Sequence, residues 1–192
     1  MNREPKLFII SGPSGAGKTT IAQRMLEEVE GLTRSISCTT REKRKAEIED
    51  VDYKFINKDK FQALIEKDVF LEWAEVLGNL YGTLKKDVKV NLDLGQDVLL
   101  CIDVKGAMQV LKKEPKTVAI FIMPPSVEDL RSRLLKRGET GDELKKRIDL
   151  AEEEMDMAAH YHHIVYNDVV HKAVNLVKSI VYAERYKNNL NS

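Results

Sequence analysis

Apolar and polar positions along the chain fall into two textures. Leu7-Phe8-Ile9-Ile10, the run 97–103 (Asp97-Val98-Leu99-Leu100-Cys101-Ile102-Asp103) and the run 117–123 (Thr117-Val118-Ala119-Ile120-Phe121-Ile122-Met123) are nearly continuous hydrophobic stretches. That pattern predicts parallel strands covered on both faces. His163-Ile164-Val165-Tyr166 is a shorter run of the same kind. Thr33-Arg34-Ser35-Ile36-Ser37-Cys38 is more polar, as suits a strand that opens onto a site. Helical spacing alternates with these strands over 19–30, 85–94, 104–113, 127–137, 142–159 and 169–188. Gly95 after Leu94 reads as a helix stop, Ser126 after Pro124-Pro125 as an N-cap, and Asn167 and Asp168 as caps of the last helix. Strands and helices in alternation predict an α/β fold, a doubly wound parallel sheet flanked by helices.

The second texture lies between residues 34 and 84. Tyr53-Lys54-Phe55-Ile56 and the run 70–76 (Phe70-Leu71-Glu72-Trp73-Ala74-Glu75-Val76) alternate in polarity, as half-exposed antiparallel strands do, with a short helix from Lys58 to Glu66 between them. This stretch interrupts the alternation of strand and helix and predicts an inserted α+β subdomain. Placed over the mouth of a site, such an insertion is suited to hold a second ligand. No repeat or low-complexity segment is present.

One segment carries explicit chemistry. Gly12-Pro13-Ser14-Gly15-Ala16-Gly17-Lys18-Thr19 matches the phosphate-binding pattern G-x-x-x-x-G-K-[ST] in full, between the first apolar strand and the helical run beginning near Thr20. Strand, glycine loop and helix form the context this motif requires. Glycines let successive backbone N–H groups turn inward around phosphate oxygens, at the positive end of the following helix. Lys18 is expected to reach the β- and γ-phosphates, and the Thr19 hydroxyl to help hold Mg²⁺. The chain is expected to bind a nucleoside triphosphate with Mg²⁺.

Composition narrows the partners. A chain of 192 residues fits one domain with a real core. At 43% hydrophobic and 32% charged residues it reads as globular, neither disordered nor membrane-spanning. Lys+Arg and Asp+Glu both number 31, which argues against a nucleic-acid binder that works by bulk electrostatics. No apolar run is long enough to cross a bilayer, so no membrane partner is expected. Met1-Asn2-Arg3-Glu4-Pro5-Lys6 leads directly into the first strand without room for a signal peptide, and the expected location is cytoplasmic. Cys38 and Cys101 have neither metal-ligand nor redox spacing and read as reduced core residues. His160, His162 and His163 read as structural or surface histidines rather than a metal site. Trp73 reads as packing the core of the insertion. Monomer and homo-oligomer fit the sequence equally, and no protein partner is specified.

The residues downstream of the loop narrow the chemistry further. Ser37, Thr39-Thr40-Arg41, Arg44 and Glu47 are followed by Asp52-Tyr53 and Phe55, then by Glu72-Trp73-Ala74-Glu75, then by Gly78-Asn79-Leu80-Tyr81-Gly82-Thr83. This ordered set strongly resembles guanylate kinase, and the resemblance runs from the phosphate loop through Asn167-Asp168. It implies a phosphotransferase that moves the γ-phosphoryl of ATP to GMP, with dGMP as a further acceptor, in purine nucleotide metabolism. The implied substrates are ATP with Mg²⁺, and GMP.

The resemblance also implies roles. Arg41, Arg44, Tyr53 and Tyr81 hold the GMP phosphate. Glu72 accepts from guanine N1–H and N2–H₂, Asp103 gives a second acidic contact to the base, and Ser37, Thr83 and Glu47 line the same pocket. ATP lies on Gly12, Pro13, Ser14, Gly15, Ala16, Gly17, Lys18, Thr19 and Thr20, with Arg137 and Asn167 beside the adenine nucleotide. Lys18, Arg133 and Arg147 act on the phosphoryl group in flight. The chain then divides into a core of 1–33, 84–125 and 159–192, a GMP-binding insertion of 34–83, and a helical lid region of 126–158.

Four positions depart from the family pattern. Cys101-Ile102-Asp103 stands where Asp-x-Asp is usual, so the first carboxylate is missing. Glu49-Asp50-Val51 lacks a usual glycine, Asn79-Leu80-Tyr81-Gly82 has Leu80 in place of a tyrosine, and the lid between Arg137 and Arg147 is one residue shorter than the common form. These changes bear on rate and metal affinity more than on reaction type. Two other readings remain at this point. One is a related kinase with a different phosphorylated acceptor. The other is a catalytically inactive guanylate kinase-like protein-binding module, in which the loop lysine and lid arginines are typically lost; Lys18, Arg133 and Arg147 are all present here.

Overall fold

A computed structural model describes residues 3–45 and 47–187 of the chain. The outer limits expected for the core at residues 1–2 and 188–192, and the expected end of the last helix at residue 188, lie outside the described residues.

The apolar runs form the central sheet. Strands β1 (Leu7–Ser11), β2 (Leu32–Arg34), β7 (Asp97–Cys101), β8 (Val118–Met123) and β9 (His163–Tyr166) lie in the order β2-β7-β1-β8-β9, all parallel. The strands with the longest apolar runs hold the middle, and the polar β2 takes an edge. Phe8, Ile9, Ile10, Leu99, Leu100, Ile120 and Ile122 are fully buried, because helices cover both faces. Alternate residues point to opposite faces, so Phe8 and Ile10 enter one hydrophobic cluster and Leu7 and Ile9 the other. The first cluster is closed by α1 (Lys18–Glu28) and α7 (Val170–Tyr186), the second by α3 (Lys85–Asp93) and α4 (Val104–Lys113).

A buried ion cluster fastens the ends of this core. Asp97, 0% exposed, accepts from both terminal nitrogens of Arg3, from the backbone of Lys6 and from Nε of Arg185 on α7. An isolated carboxylate at that depth is very unfavourable; two guanidinium partners make the position tenable.

Residues between β2 and α3 build a second sheet. Its strands β3 (Cys38–Thr39), β4 (Lys54–Phe55), β5 (Phe70–Val76) and β6 (Asn79–Leu84) run in the order β4-β3-β6-β5, with α2 (Lys58–Glu66) packed on it. Cys38, Phe61 and Phe70 form its own small core, with the Phe61 and Phe70 rings stacked at 4.6 Å. A third unit follows β8. Helices α5 (Val127–Lys136) and α6 (Gly141–Asp156) pack through Leu130, Leu134, Leu144 and Ala151, and a 3₁₀ turn (Met157–His160) leads to β9.

Several expectations need correction. The single strand expected over 33–38 is two strands in two sheets, because the chain crosses from core to insertion at Ser35–Ser37. Strand β4 pairs parallel to β3 rather than antiparallel. Trp73 does not pack the insertion's core: it is 38% exposed, since it falls on the outer phase of β5 while Glu72 and Ala74 point in. Cys38 is buried as expected, and Cys101 is partly buried and packs against the first core cluster. Ser126 does cap α5, accepting from the Asp129 N–H, whereas α7 starts after Val169 with no side-chain cap. Asn167 is drawn elsewhere, as described below.

Candidate active site

The phosphate loop is the six-residue link between β1 and α1. Gly17 precedes the helix with φ +96°, and a Cβ there would overlap Asn167 Nδ2, so both conformation and space require glycine. The loop is held from behind: Asn167, 1% exposed, donates from Nδ2 to Ala16 O at 2.7 Å. Arg133 Nη1 reaches the same carbonyl at 3.4 Å, while its Nη2 donates to Asn167 O at 2.7 Å. Lys18 bends back to donate to Gly12 O at 2.6 Å and Pro13 O at 2.9 Å. Arg147 crosses from α6 to donate to Ser14 Oγ at 3.2 Å. Lys18, Arg133, Arg147 and Asn167 therefore meet at one loop from four parts of the chain. Thr19 and Thr20 are exposed on the first turn of α1. Arg137 is the exposed C-cap residue of α5.

A second group forms on one face of the insertion. In the antiparallel register Glu72 of β5 lies opposite Thr83 of β6, and Thr83 Oγ1 donates to Glu72 Oε1 at 2.6 Å. Ser37 stands 3.4 Å from Thr83 on the other side. All three are buried: Glu72 1%, Thr83 0% and Ser37 6% exposed. Glu72 Oε2 is buried with no hydrogen-bond partner. Burial, with the nearby charge of Asp103, pushes the Glu72 carboxyl up to about 7, against the Thr83 hydrogen bond that lowers it. Asp103 caps α4, accepting from the Gly106 N–H at 3.0 Å.

Two residues further along the same face of β6 stands Tyr81, its ring 6.0 Å from that of Tyr53. The Arg41 guanidinium lies over Tyr53 at 5.5 Å. Burial raises the Tyr53 phenol to about 12, so it stays a hydrogen-bond donor at neutral pH. Glu47 sits here, away from Glu72: its carboxylate takes both terminal nitrogens of Arg41, at 3.1 and 2.7 Å, and the Arg44 N–H at 2.8 Å. Despite partial burial, these bonds hold Glu47 below and Arg41 above their ordinary pKa values. The Arg44 side chain is exposed.

Two participants gave no motif. A Cβ on Gly106 would overlap the Glu72 carboxylate, so α4 carries glycine in its first turn to make room for it. The signal was available, since glycine inside a helix costs about 1 kcal/mol relative to alanine and asks for a packing reason. Glu154 of α6 faces Lys18 and the Ser14 backbone; burial and Asp103 raise its carboxyl to about 7 while Lys18 lowers it. Nothing in its local sequence distinguishes it from Glu152 or Glu153. Glu154, Asp103 and Lys105 line a cleft of about 230 Å³ together with the β5–β6 turn. A larger cleft of about 300 Å³, between Arg34, Lys54 and α3, touches none of the expected site residues.

The site thus has an anion cradle on the core and a buried acceptor with a basic, phenolic rim on the insertion. Among the described residues no group of three or more His, Cys, Asp or Glu side chains is arranged to hold a metal. His162 Nδ1 accepts from the Ala119 N–H, and His163 faces Glu184 at 3.5 Å. Thr19 on the first turn of α1, with Asp103 and Glu154 in the adjoining cleft, offers only oxygen donors, which suit a hard ion that keeps most of its water shell, as Mg²⁺ does.

Comparison with known proteins gives one answer. The sequence profile described as guanylate kinase matches residues 4–184. The guanylate kinase of Carboxydothermus hydrogenoformans is 48% identical over 94% of this chain and 89% of its own length. That of Caldanaerobacter subterraneus subsp. tengcongensis is 45% identical, covering 96% and 90%. The crystal structure of guanylate kinase from Anaplasma phagocytophilum superposes with a TM-score of 0.82 at 32% identity, covering 96% of this chain and 88% of that one.

Proposed function

The chain belongs to the guanylate kinase family, and we propose how its residues divide the work. The activity is ATP-dependent phosphorylation of GMP to GDP with release of ADP. In our reading 34–83 is the GMP-binding insertion, 126–158 the lid, and the remainder the core. The phosphate loop from Gly12 to Thr20 takes ATP, with Asn167 and Arg137 at its adenine side. The Thr19 hydroxyl would help hold Mg²⁺, which would supply neutralisation of triphosphate charge there. Arg41, Arg44, Tyr53 and Tyr81 take the GMP phosphate. Glu72, Ser37, Thr83 and Asp103 read guanine, and Glu47 holds Arg41 in place.

The observation that carries the base assignment is the unpartnered Glu72 Oε2, buried beside an Oε1 already held by Thr83. Guanine offers two adjacent donors, N1–H and N2–H₂, to such a carboxylate. Adenine offers a bare acceptor at N1 and would leave the oxygen unpaired, a loss of up to several kcal/mol.

A phosphate oxygen of GMP attacks the γ-phosphorus, that bond forms as the bond to the ADP oxygen breaks, and no covalent enzyme intermediate is required. A phosphate monoester is already an anionic nucleophile, so the protein supplies position and charge. Lys18, Arg133 and Arg147 meet the negative charge that spreads over the phosphoryl oxygens. Closure of the insertion and lid excludes water, which would otherwise hydrolyse ATP. No helix among the described residues is long and apolar enough to cross a membrane. We place the enzyme in the cytoplasm, where both nucleotides are available.

A coupled assay of ADP release with GMP, AMP, CMP and UMP tests this. GMP is expected to exceed AMP by roughly 10³ or more in kcat/KM. Comparable turnover of AMP would overturn the guanine-reading role of Glu72.

A further inference from the structure

Arg147 gives each guanidinium nitrogen to a different neighbour. Nη1 donates to Ser14 Oγ, Nη2 lies 3.4 Å from Glu143 Oε1, and Nε lies 2.8 Å from Glu139 Oε2. These partners are not equivalent. Ser14 belongs to the phosphate loop. Glu143 is one turn back on the same helix with 66% of its side chain exposed, a contact worth little in water. Glu139 comes from the short link between α5 and α6, where a glutamate ordinarily extends into solvent. Here its side chain is only 12% exposed, against 17% for Arg147.

Glu139 Oε2 and Arg147 Nε are both buried, and neither forms a well-directed hydrogen bond with any group among the described residues. At 2.8 Å the N–H does not point along the line of contact. The contact is therefore ionic rather than a directed hydrogen bond. The geometry is fixed by packing: Leu130 and Leu134 of α5 close on Leu144 and Ala151 of α6, and the Glu139 N–H donates to Leu134 O at 3.3 Å. Arg147 is thus carried by one helix of this packed pair and Glu139 by the link that joins the two.

We propose that Glu139 is a positioning residue for phosphoryl transfer, holding the Nε edge of Arg147 so that its terminal nitrogens face the phosphate loop. The proposal rests on the reading of Arg147 as a group that touches the transferring phosphoryl. A guanidinium is a rigid plane of five N–H donors, and an anion beside Nε draws that edge of the plane toward itself while leaving Nη1 and Nη2 for phosphate oxygens. Orientation set before substrate arrives lowers the barrier rather than merely tightening binding. The same carboxylate keeps Arg147 from being buried as an unpaired charge when the lid closes.

The test is steady-state kinetics on the full chain, with thermal melting to confirm folding. Glu139→Ala is expected to lower kcat by roughly tenfold to fiftyfold, with both KM values within about twofold of wild type. Glu139→Gln, which keeps an acceptor but no charge, is expected to fall between, and Glu143→Ala to lose less than Glu139→Ala. In an Arg147→Ala background Glu139→Ala is expected to add nothing, a coupling that a merely structural role would not produce. Full kcat in Glu139→Ala beside a crippled Arg147→Ala would overturn this proposal alone. So would losses that multiply in the double variant. Full kcat in Arg147→Ala would overturn the parent reading, and this one with it.

Discussion

The phosphate loop and the pocket around Glu72 hold their polar groups in opposite ways. In the loop the charged groups already have protein partners: Lys18 on two carbonyls, Arg133 on Ala16 and Asn167, Arg147 on Ser14. Ligand binding there exchanges one set of hydrogen bonds for another. In the pocket, a carboxylate that is 1% exposed has one oxygen held and the other alone. A proton relieves it, and on the proposed reading so does a ligand donor that reaches Oε2. In the same reading the loop takes a triphosphate, which presents the same oxygens whatever its base. The pocket, on that reading, holds an oxygen that one base satisfies better than another, and discrimination would come from that difference rather than from tight binding.

The comparison breaks first at Lys18. Lys18→Met is expected to keep the fold and lower kcat by about 10³ or more, because the charge acts where the phosphoryl is most anionic. ADP release and circular dichroism on the same sample check both halves. Near wild-type turnover would remove the loop from catalysis.

A smaller effect is expected at Glu72. Glu72→Gln is expected to lose about 10²-fold in kcat/KM for GMP while narrowing the gap to AMP, since an amide donates to adenine N1. Glu72→Ala is expected to lose GMP efficiency without gaining AMP. Competition assays with both nucleotides decide between these outcomes.

Gly106→Ala sharpens the comparison, because it pushes on the Glu72 carboxylate without touching the loop. An increase of about tenfold in KM for GMP, with KM for ATP unchanged, is expected from steady-state kinetics. Equal effects on both nucleotides would mean that α4 serves the two regions alike.

The smallest effect is that of pH. With its carboxyl near 7, Glu72 is protonated in a growing fraction of the empty enzyme as pH falls from 8 to 6. KM for GMP is expected to rise several-fold over that range in wild type, and to rise less in Glu72→Gln. Stability moves the other way. Between about 4.5, the ordinary value, and about 7 the native protein keeps a proton that the unfolded chain has released. Stability therefore falls as pH rises through that window and flattens above it, and Glu154 adds a contribution of the same sign. Urea melts at pH 5 and pH 8 are expected to differ by ~1–3 kcal/mol from Glu72, a part that Glu72→Gln removes.

Sequence reading reached the two regions unequally. The loop was legible because its donors are contiguous backbone groups and its flanks are one apolar strand and one helix. In the pocket, the resemblance supplied Ser37, Glu72 and Thr83, but β6 itself passed unnoticed. Leu77-Gly78 between two alternating runs was the missed signal: both residues have positive φ, 51° and 79°, as a two-residue hairpin turn requires. Position 33–38 looked like one strand because local polarity does not mark the point where a chain leaves one sheet for another. Asn167 looked like a helix cap from its neighbours. Its amide instead holds Ala16, 151 residues away.

The sequence by itself determined the layered α/β core, the order of its elements and the cradle on the first helix, because these follow from contiguous polarity and from backbone freedom at fixed spacing. Tertiary structure alone decided which side chains meet. The antiparallel register put Thr83 on one oxygen of Glu72, the first turn of α4 came close enough to require Gly106, and the packing of α5 on α6 brought Glu139 to Arg147. The physical reason is one of range. A strand or a loop is favoured by interactions within a few residues, whereas the energy of a buried charge depends on every group the fold brings near it, however distant in the chain.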